Sequence, residues 1–324
     1  MERLISRLEV DRPLYGVLAA LEGLLKSATP ITTVTTTRLP RYRRASSPPA
    51  MQLTARDIRI VRWVYEMRFM TREQIQRLEF SPSTASYCKR RLALLFHNGY
   101  LDRKFIPAPG SFGSTRAIYC LDSKGAQLLA YELKTDIDWR PRHAERELYF
   151  LQHALASNDF RLCATIASRR LGLALDWTDE RTLRRKEMKD YVADPRHGGQ
   201  KLAVIPDGYF TLSDRDKNLA FALELDRSTV EEKPFKAKVR AYGEWKLTGA
   251  YQRRFGTDSL RILFVIASNH RDRHRLERAK RWCEAEGGRS LFWFADSADI
   301  NEATIFNEPI WQIAGREGSF TLLQ

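Results

Sequence analysis

From residue 51 onward the apolar positions follow helical spacing. Thr54 is placed to cap a helix that carries Ile58, Val61, Val64 and Tyr65 on one face, and Thr71-Arg72-Glu73-Gln74 opens a second helix with Ile75 and Leu78 inward. After a turn at Ser81-Pro82, a third helix is predicted over residues 83–97, with Leu92, Leu95 and Phe96 closing a small core and Asn98-Gly99 as the stop. The period then changes: residues 100–106 and 115–121 read as two strands around a Pro/Gly/Ser loop, and residues 122–133 return as a helix. A long helix over residues 142–170 follows, in which His153 and Asn158 interrupt an apolar stretch, either as satisfied core groups or as groups lining a site. Beyond it, strands are expected at 171–177, 202–205, 219–225, 260–268, 290–294 and 310–313, with helices over 232–255 and 269–287.

Three helices followed by a two-stranded hairpin is the order of a winged helix-turn-helix, and residues 53–133 resemble the bacterial versions of it. The second half has α/β order around a mixed sheet. The chain is therefore read as α/β overall, a multidomain α+β protein with four parts. Residues 1–26 form an amphipathic helical segment for a partner or a homodimer contact, and residues 27–50 a basic linker. Residues 51–141 form the winged helix-turn-helix, and residues 142–324 a mixed-sheet domain. In the winged-helix arrangement the third helix reads DNA. Ser83, Thr84, Ser86 and Tyr87 are expected near base edges, Lys89, Arg90 and Arg91 at phosphates, and Arg103, Lys104 and Arg116 on the wing. The bland alternative is a protein-docking module with Tyr87 in its core.

Charge supports the nucleic-acid reading. The formal net charge is +14, of which residues 1–141 carry +10 and the rest +4. Such an excess favours a polyanion, and double-stranded DNA is the leading partner. No apolar run of 18 or more residues and no leader pattern occurs, so a membrane partner is not expected and a cytoplasmic location is. Cys88, Cys120, Cys163 and Cys283 are widely spaced, which argues against a zinc cluster or a disulfide framework and for buried thiols. The absence of a GxxxxGK[ST] loop leaves ATP-driven chemistry unsupported.

Residues 201–242 carry the candidate chemistry. One apolar run ends in Pro206-Asp207 and another in Glu224-Leu225-Asp226. Side chains alternate along a strand, so Glu224 and Asp226 share a side, and pairing the strand over 202–205 with the strand over 219–225 would bring Asp207 to them. Three clustered acids persist more readily around a cation, and Mg2+, or Mn2+ in its place, suits a phosphodiester substrate. Lys233, Lys236 and Arg240 fall on one face of the next helix, where they would meet phosphate. The opposing reading makes Pro-Asp-Gly a turn and the acids surface ion-pair partners.

This block resembles the core of the PD-(D/E)XK nuclease-like fold, with Asp207 as its first acid and Glu224 as its second. The resemblance implies a catalytic and metal-binding set of Asp207 and Glu224, with Asp226 as an added ligand. Asp226 stands where that pattern has lysine, and Lys236 is the expected replacement from the helix. Glu145 or Glu147 would be the helix acid of such a fold. More widely, Leu151, His153, Leu155, Asn158, Asp159, Pro206 to Phe210 and Glu224 to Thr229 make the chain similar to the replication-relaxation family of bacterial plasmids and integrative elements. That similarity implies an accessory factor in plasmid replication or relaxation that acts with other replication or transfer proteins. A metal-dependent endonuclease is the alternative, and a transcriptional repressor the weaker third.

Overall fold

The computed structural model describes residues 39–106, 116–137, 139, 148–185, 188–214, 218–227, 230–268, 272 and 274–323. The expected N-terminal amphipathic helices, the tip of the hairpin, and Glu145 and Glu147 lie outside the described residues. Ser46–Gln324 is one compact unit. Met1–Ala45 is a second one, of which residues 39–45 are described and form neither helix nor strand.

The helical part begins with α1 (Ala55–Met67). Thr54 Oγ1 accepts from the Asp57 amide at 3.3 Å, and the Asp57 carboxylate accepts from the Thr54 amide at 2.8 Å, a reciprocal cap. Thr71 and Gln74 repeat this device, at 3.2 and 2.9 Å, at the start of α2 (Arg72–Glu79). A short turn over Pro82–Thr84 leads into α3 (Ala85–His97). The strands β1 (Met70–Thr71), β2 (Leu101–Ile106) and β3 (Arg116–Leu121) form an antiparallel sheet in the order β1-β3-β2, and α4 (Ser123–Leu133) closes the group. The buried face of α1 is Ile60, Val61, Val64 and Met67, while Ile58 is only half-buried, because the helix packs on both α4 and the sheet. These side chains share a core with Ile75, Cys88, Leu92, Leu95 and Leu129.

The long helix α5 (Leu148–Leu171) leads to β4 (Ala174–Asp179) and a single helical turn, α6 (Glu180–Leu183). The strands β5 (Asp190–Ala193) and β6 (Lys201–Val204) form a separate antiparallel hairpin. The main elements then follow: β7 (Gly208–Ser213), β8 (Asn218–Asp226), α7 (Glu232–Leu247), α8 (Ala250–Phe255), β9 (Arg261–Ile266), α9 (Arg275–Ala285), β10 (Phe292–Asp296) and β11 (Gln312–Ile313). The main sheet runs β11-β10-β9-β8-β7-β4. Its β8, β9 and β10 are parallel, and the strands on either flank are antiparallel, so the mixed sheet expected for this half is present. The helix expected over 232–255 is two helices, split where Gly249 adopts φ +70°.

Both faces of the sheet are covered. Phe235, Val239, Tyr242 and Trp245 of α7 pack on one face with Ile262 and Phe264. Phe160, Cys163, Ala164 and Ala167 of α5 cover the other, against Phe210, Phe221 and Leu263. Each such large side chain contributes on the order of 1.5–3 kcal/mol by leaving water. All four cysteines are buried and free.

Candidate active site and nucleic-acid interface

Asp207 reaches the acid cluster by a route other than the expected one. The strand preceding Pro206 lies in the small hairpin and never pairs with β8. The strand following Asp207 does, with Gly208 opposite Leu223. The Asp207 amide donates to Leu223 O at 2.9 Å, and its Oδ2 accepts from the Leu225 amide at 2.8 Å, so the carboxylate is fixed beside Glu224 by the edge of the β7–β8 ladder. Pro206 cannot donate into a ladder, which suits the switch between sheets here. Gly208 has a packing reason: a Cβ there would lie 2.6 Å from Trp177 Cζ2. Phe210 then stacks between Trp177 and Phe221, with ring centroids 5.2 and 4.8 Å away. Pro-Asp-Gly-Tyr-Phe therefore places an acid at the end of a strand whose next residues build the core.

Glu224 is 2 % exposed, and both of its oxygens have partners. Lys238 Nζ bonds Oε2, and the Tyr242 hydroxyl donates to Oε1. Lys238 and Tyr242 are four apart on α7 and so share a face. Burial pushes the Glu224 carboxyl up despite Lys238, and Asp207 beside it adds to the rise. For Lys238, burial acts downward, but the attraction of Glu224 and Asp207 outweighs it and holds the ammonium charged.

His153 of α5 places Nε2 3.1 Å from Asp207 Oδ1. That hydrogen bond raises the His153 pKa above its ordinary value, over the opposing effect of burial. Burial pushes Asp207 up in turn, and the hydrogen bond and charge of His153, together with Lys238, more than offset it, so Asp207 titrates below the usual carboxylate range. Glu180, the first residue of α6, completes a group with His153 and Asp207 whose donor atoms all lie within 4.8 Å of one another. This mixed nitrogen and oxygen set fits a divalent cation, and the imidazole favours Mn2+ or a later transition ion over Mg2+, which prefers oxygen donors.

Two expected members of the site are elsewhere. Asp226 shares its side of β8 with Glu224 but is bound by Arg275, at 2.9 Å from Nε and 2.5 Å from the terminal nitrogen, in a pair where both side chains are buried. Lys236 bonds Glu232 at 2.5 Å and lies 4.0 Å from Glu286, so it faces away from the acids. Arg240 is held by Asp194 and Glu286 at 3.1 and 3.0 Å, so two of the three cations expected to form a phosphate face are occupied by carboxylates. Sequence reasoning missed Glu180, Lys238 and Tyr242. The signal for the last two was the Lys-x-x-x-Tyr spacing on a helix that crosses back over the acid strand.

In the turn before α3, Ser83 is exposed and Thr84 half-buried, and on α3 itself Ser86, Tyr87, Lys89 and Arg90 are exposed. Tyr87 is 42 % exposed, with its ring edge-on to Phe80, so it is not a core residue. Arg91 differs from its neighbours. Its Nε donates to Asp57 at 3.0 Å and its terminal nitrogen to Gln52 O at 3.0 Å, leaving the side chain 11 % exposed, so it locks α3 to the cap of α1. Arg103 lies over the Phe96 ring at 4.1 Å, Lys104 pairs with Asp102 at 3.0 Å, and Arg116 is exposed.

The joint between the two halves is built from the motif residues of α5. Leu151, Ala154 and Leu155 pack on Phe69, Ile118 and Cys120. Asn158 Nδ2 donates to Met67 O and Phe69 O at 3.0 and 2.6 Å, and Gln74 Nε2 donates to Asp159 at 2.8 Å and Leu155 O at 3.1 Å. Asn158 is thus a satisfied core group, whereas His153 lines the acid site.

With this geometry established, comparison with known proteins adds one decisive match: the model of the replication-relaxation family covers residues 61–259. The chain belongs to that family. The matched region takes in α5 with its motif, Pro206 to Phe210, Glu224 and Lys238. No curated protein matches the sequence. Among solved structures, restriction endonuclease FokI bound to DNA is similar at 12 % identity and a TM-score of 0.25, over 77 % of this chain and 45 % of that one. A second FokI structure matches at 12 % identity and 0.26, over 77 % and 44 %. The chain thus spans less than half the length of those proteins. No helix among the described residues is long and apolar enough to cross a membrane.

Proposed function

We propose that this replication-relaxation family member is a DNA-binding protein of a mobile genetic element that docks on double-stranded DNA through a winged helix-turn-helix and cuts or nicks it at the Asp207–Glu224 site. The observation that carries this is the Lys238–Glu224 contact, which supplies from α7 the cation missing from the Glu-Leu-Asp strand. Asp207, Glu180 and His153 would hold a divalent cation, either Mn2+ or Mg2+, and that ion when bound lowers the pKa of a water and neutralises phosphate charge. The chain's own groups do the rest. Lys238, with 44 % of its side chain exposed, is available to stabilise negative charge on the phosphoryl oxygens. Glu224 orients Lys238, and Tyr242 fixes Glu224. The exposed Lys89 and Arg90 anchor the phosphate backbone.

A second reading, an accessory factor in plasmid replication or relaxation without cleavage, is favoured by one feature: both Glu224 oxygens are satisfied by Lys238 and Tyr242 without any metal. The deciding experiment follows nicking of supercoiled plasmid in Mn2+ and in Mg2+ by wild type, Asp207→Ala and Glu224→Ala. Nicking by wild type that both variants lose, with DNA affinity kept, supports cleavage. No nicking of DNA that the protein binds leaves the accessory role.

A further inference from the structure

A cleft of about 660 Å3 lies between α1 and the α5–β4–α6 segment, apart from both α3 and the Asp207–Glu224 pair. Seven arginines line it against three carboxylates, together with two tryptophans, Trp63 and Trp177. The arginine at its floor is unusual. Arg161 is 10 % exposed and pairs with Glu66 at 2.7 Å, yet its buried Nε has no hydrogen-bond partner among the described residues. Glu66 also accepts from Arg62 at 2.9 Å, so one carboxylate serves two guanidiniums. Burial correspondingly lowers the pKa of Arg161. Asp176 and Asp179 lie near enough to attract Arg161 but accept no hydrogen bond from its Nε, and a buried cation with a spare donor marks a place where an anion is accommodated.

The aromatic walls narrow the class of anion. The Arg161 guanidinium lies 5.9 Å from the Trp63 ring centre and 5.6 Å from that of Trp177, and Arg169 lies 5.3 Å from Trp63. Neither Arg169 nor Arg185, which also lines the cleft, has an ion-pair partner among the described residues. At the rim, Arg68 takes φ +65° and ψ −46°, a conformation that non-glycine residues seldom adopt and that concentrates at functional positions. Guanidiniums beside flat indoles are the groups that hold phosphate esters and stack on bases.

We propose that this cleft binds a nucleoside phosphate, presented either as a single-stranded DNA segment or as a free nucleotide, at a site that shares no residue with α3. It rests on no part of the cleavage reading. The same chemistry serves both sources, and the test separates them.

Full-length protein is titrated in EDTA with fluorescein-labelled dT8, by anisotropy, and with dTMP, by calorimetry. The cleft variant is Arg169→Ala with Arg185→Ala, and Arg62→Glu reverses a 58 % exposed charge at the same cleft. Arg281→Ala with Arg316→Ala removes two exposed charges that neither line the cleft nor lie on α3, and controls for loss of charge alone. Tm is measured for each, so that if one cleft variant fails to fold the other carries the test. The expected result is that dT8 binding falls at least fivefold further in the cleft variant than in the control. If dTMP also binds wild type with the same sensitivity, the ligand source includes free nucleotide; if only dT8 binds, it is a strand. A cleft loss within fivefold of the control, or no binding of either probe by wild type, overturns the assignment.

Discussion

Lys238, not Lys236, holds Glu224: the Lys238 ammonium bonds Glu224 Oε2, while Lys236 lies across the helix against Glu232. Two residues along an α-helix turn a side chain by about 200°, so neighbouring lysines in Lys236-Ala237-Lys238 serve opposite faces. The carboxylate that needs a cation and the cation that reaches it are 14 residues apart, joined by a crossover from β8 into α7.

If the site cleaves DNA, Lys238→Ala lowers the nicking rate by about 100-fold or more, the scale of losing one group that stabilises transition-state charge. Lys236→Ala stays within about threefold of wild type. Single-turnover nicking of supercoiled plasmid in Mn2+ measures both. Equal losses in the two variants would show that the α7 contact carries no chemistry.

The basic run on α3 divides into two roles. Arg90 is exposed, and Arg90→Ala should weaken DNA binding uniformly across sequences and reduce the slope of log affinity against log salt by about 1. Arg91 is spent on Asp57 and Gln52 O, so Arg91→Ala should lower Tm and reduce DNA affinity only through lost stability. Salt titrations read beside thermal melts check the division. A full salt-slope change in Arg91→Ala, with Tm intact, would put Arg91 back at the phosphates.

Burial by itself pushes Asp57 up, but the hydrogen bonds from Arg91 and Thr54 outweigh it and hold the carboxyl below its ordinary 3.8. A depressed acid stabilises the fold above its unfolded pKa and loses that contribution as pH falls through the lower folded value. Asp57→Asn should therefore cost about 1–3 kcal/mol at pH 7, discounted for the partial exposure of Arg91, and the gap to wild type should close as pH falls below the ordinary 3.8 through the lower folded value. Denaturation midpoints of the two proteins from pH 7 to pH 2.5 measure it. A constant gap across that range would remove the ionised pair as the cause.

Local chemistry alone makes much of this fold legible in the sequence. Thr54, Thr71 and Ser81-Pro82 mark helix starts, and the run over residues 260–268 is the central buried strand because its apolar continuity admits little else. Partner choice is the part that local pattern does not carry. The strand ahead of Pro206 reads as a member of the main sheet because it is apolar, but its pairing with β5 depends on a hairpin that no short-range pattern announces. Asp226 reads as a ligand because strand alternation puts it beside Glu224, and the alternation is right. Its neutralisation by Arg275 comes from a helix 49 residues away in sequence, beyond any local signal. Arg91 reads as a phosphate contact for the same reason, since its counter-ion Asp57 is 34 residues distant.

The same helix that points His153 at Asp207 points Asn158 into the helical half, where its amide serves Met67 O and Phe69 O at the end of α1. Asn158→Ala would leave two buried carbonyls without this donor, at about 1–3 kcal/mol each where no water replaces it. Because Leu155 and Asp159 lean on the same surface through Gln74, the loss should loosen the joint as a whole. Urea denaturation followed by far-ultraviolet circular dichroism and by tryptophan fluorescence tests this. Wild type should give coincident transitions, and Asn158→Ala a lower midpoint, with the two signals separating if the halves unfold independently. An unchanged midpoint with coincident signals would mean that the apolar contacts of Leu151 and Leu155 hold the halves together unaided.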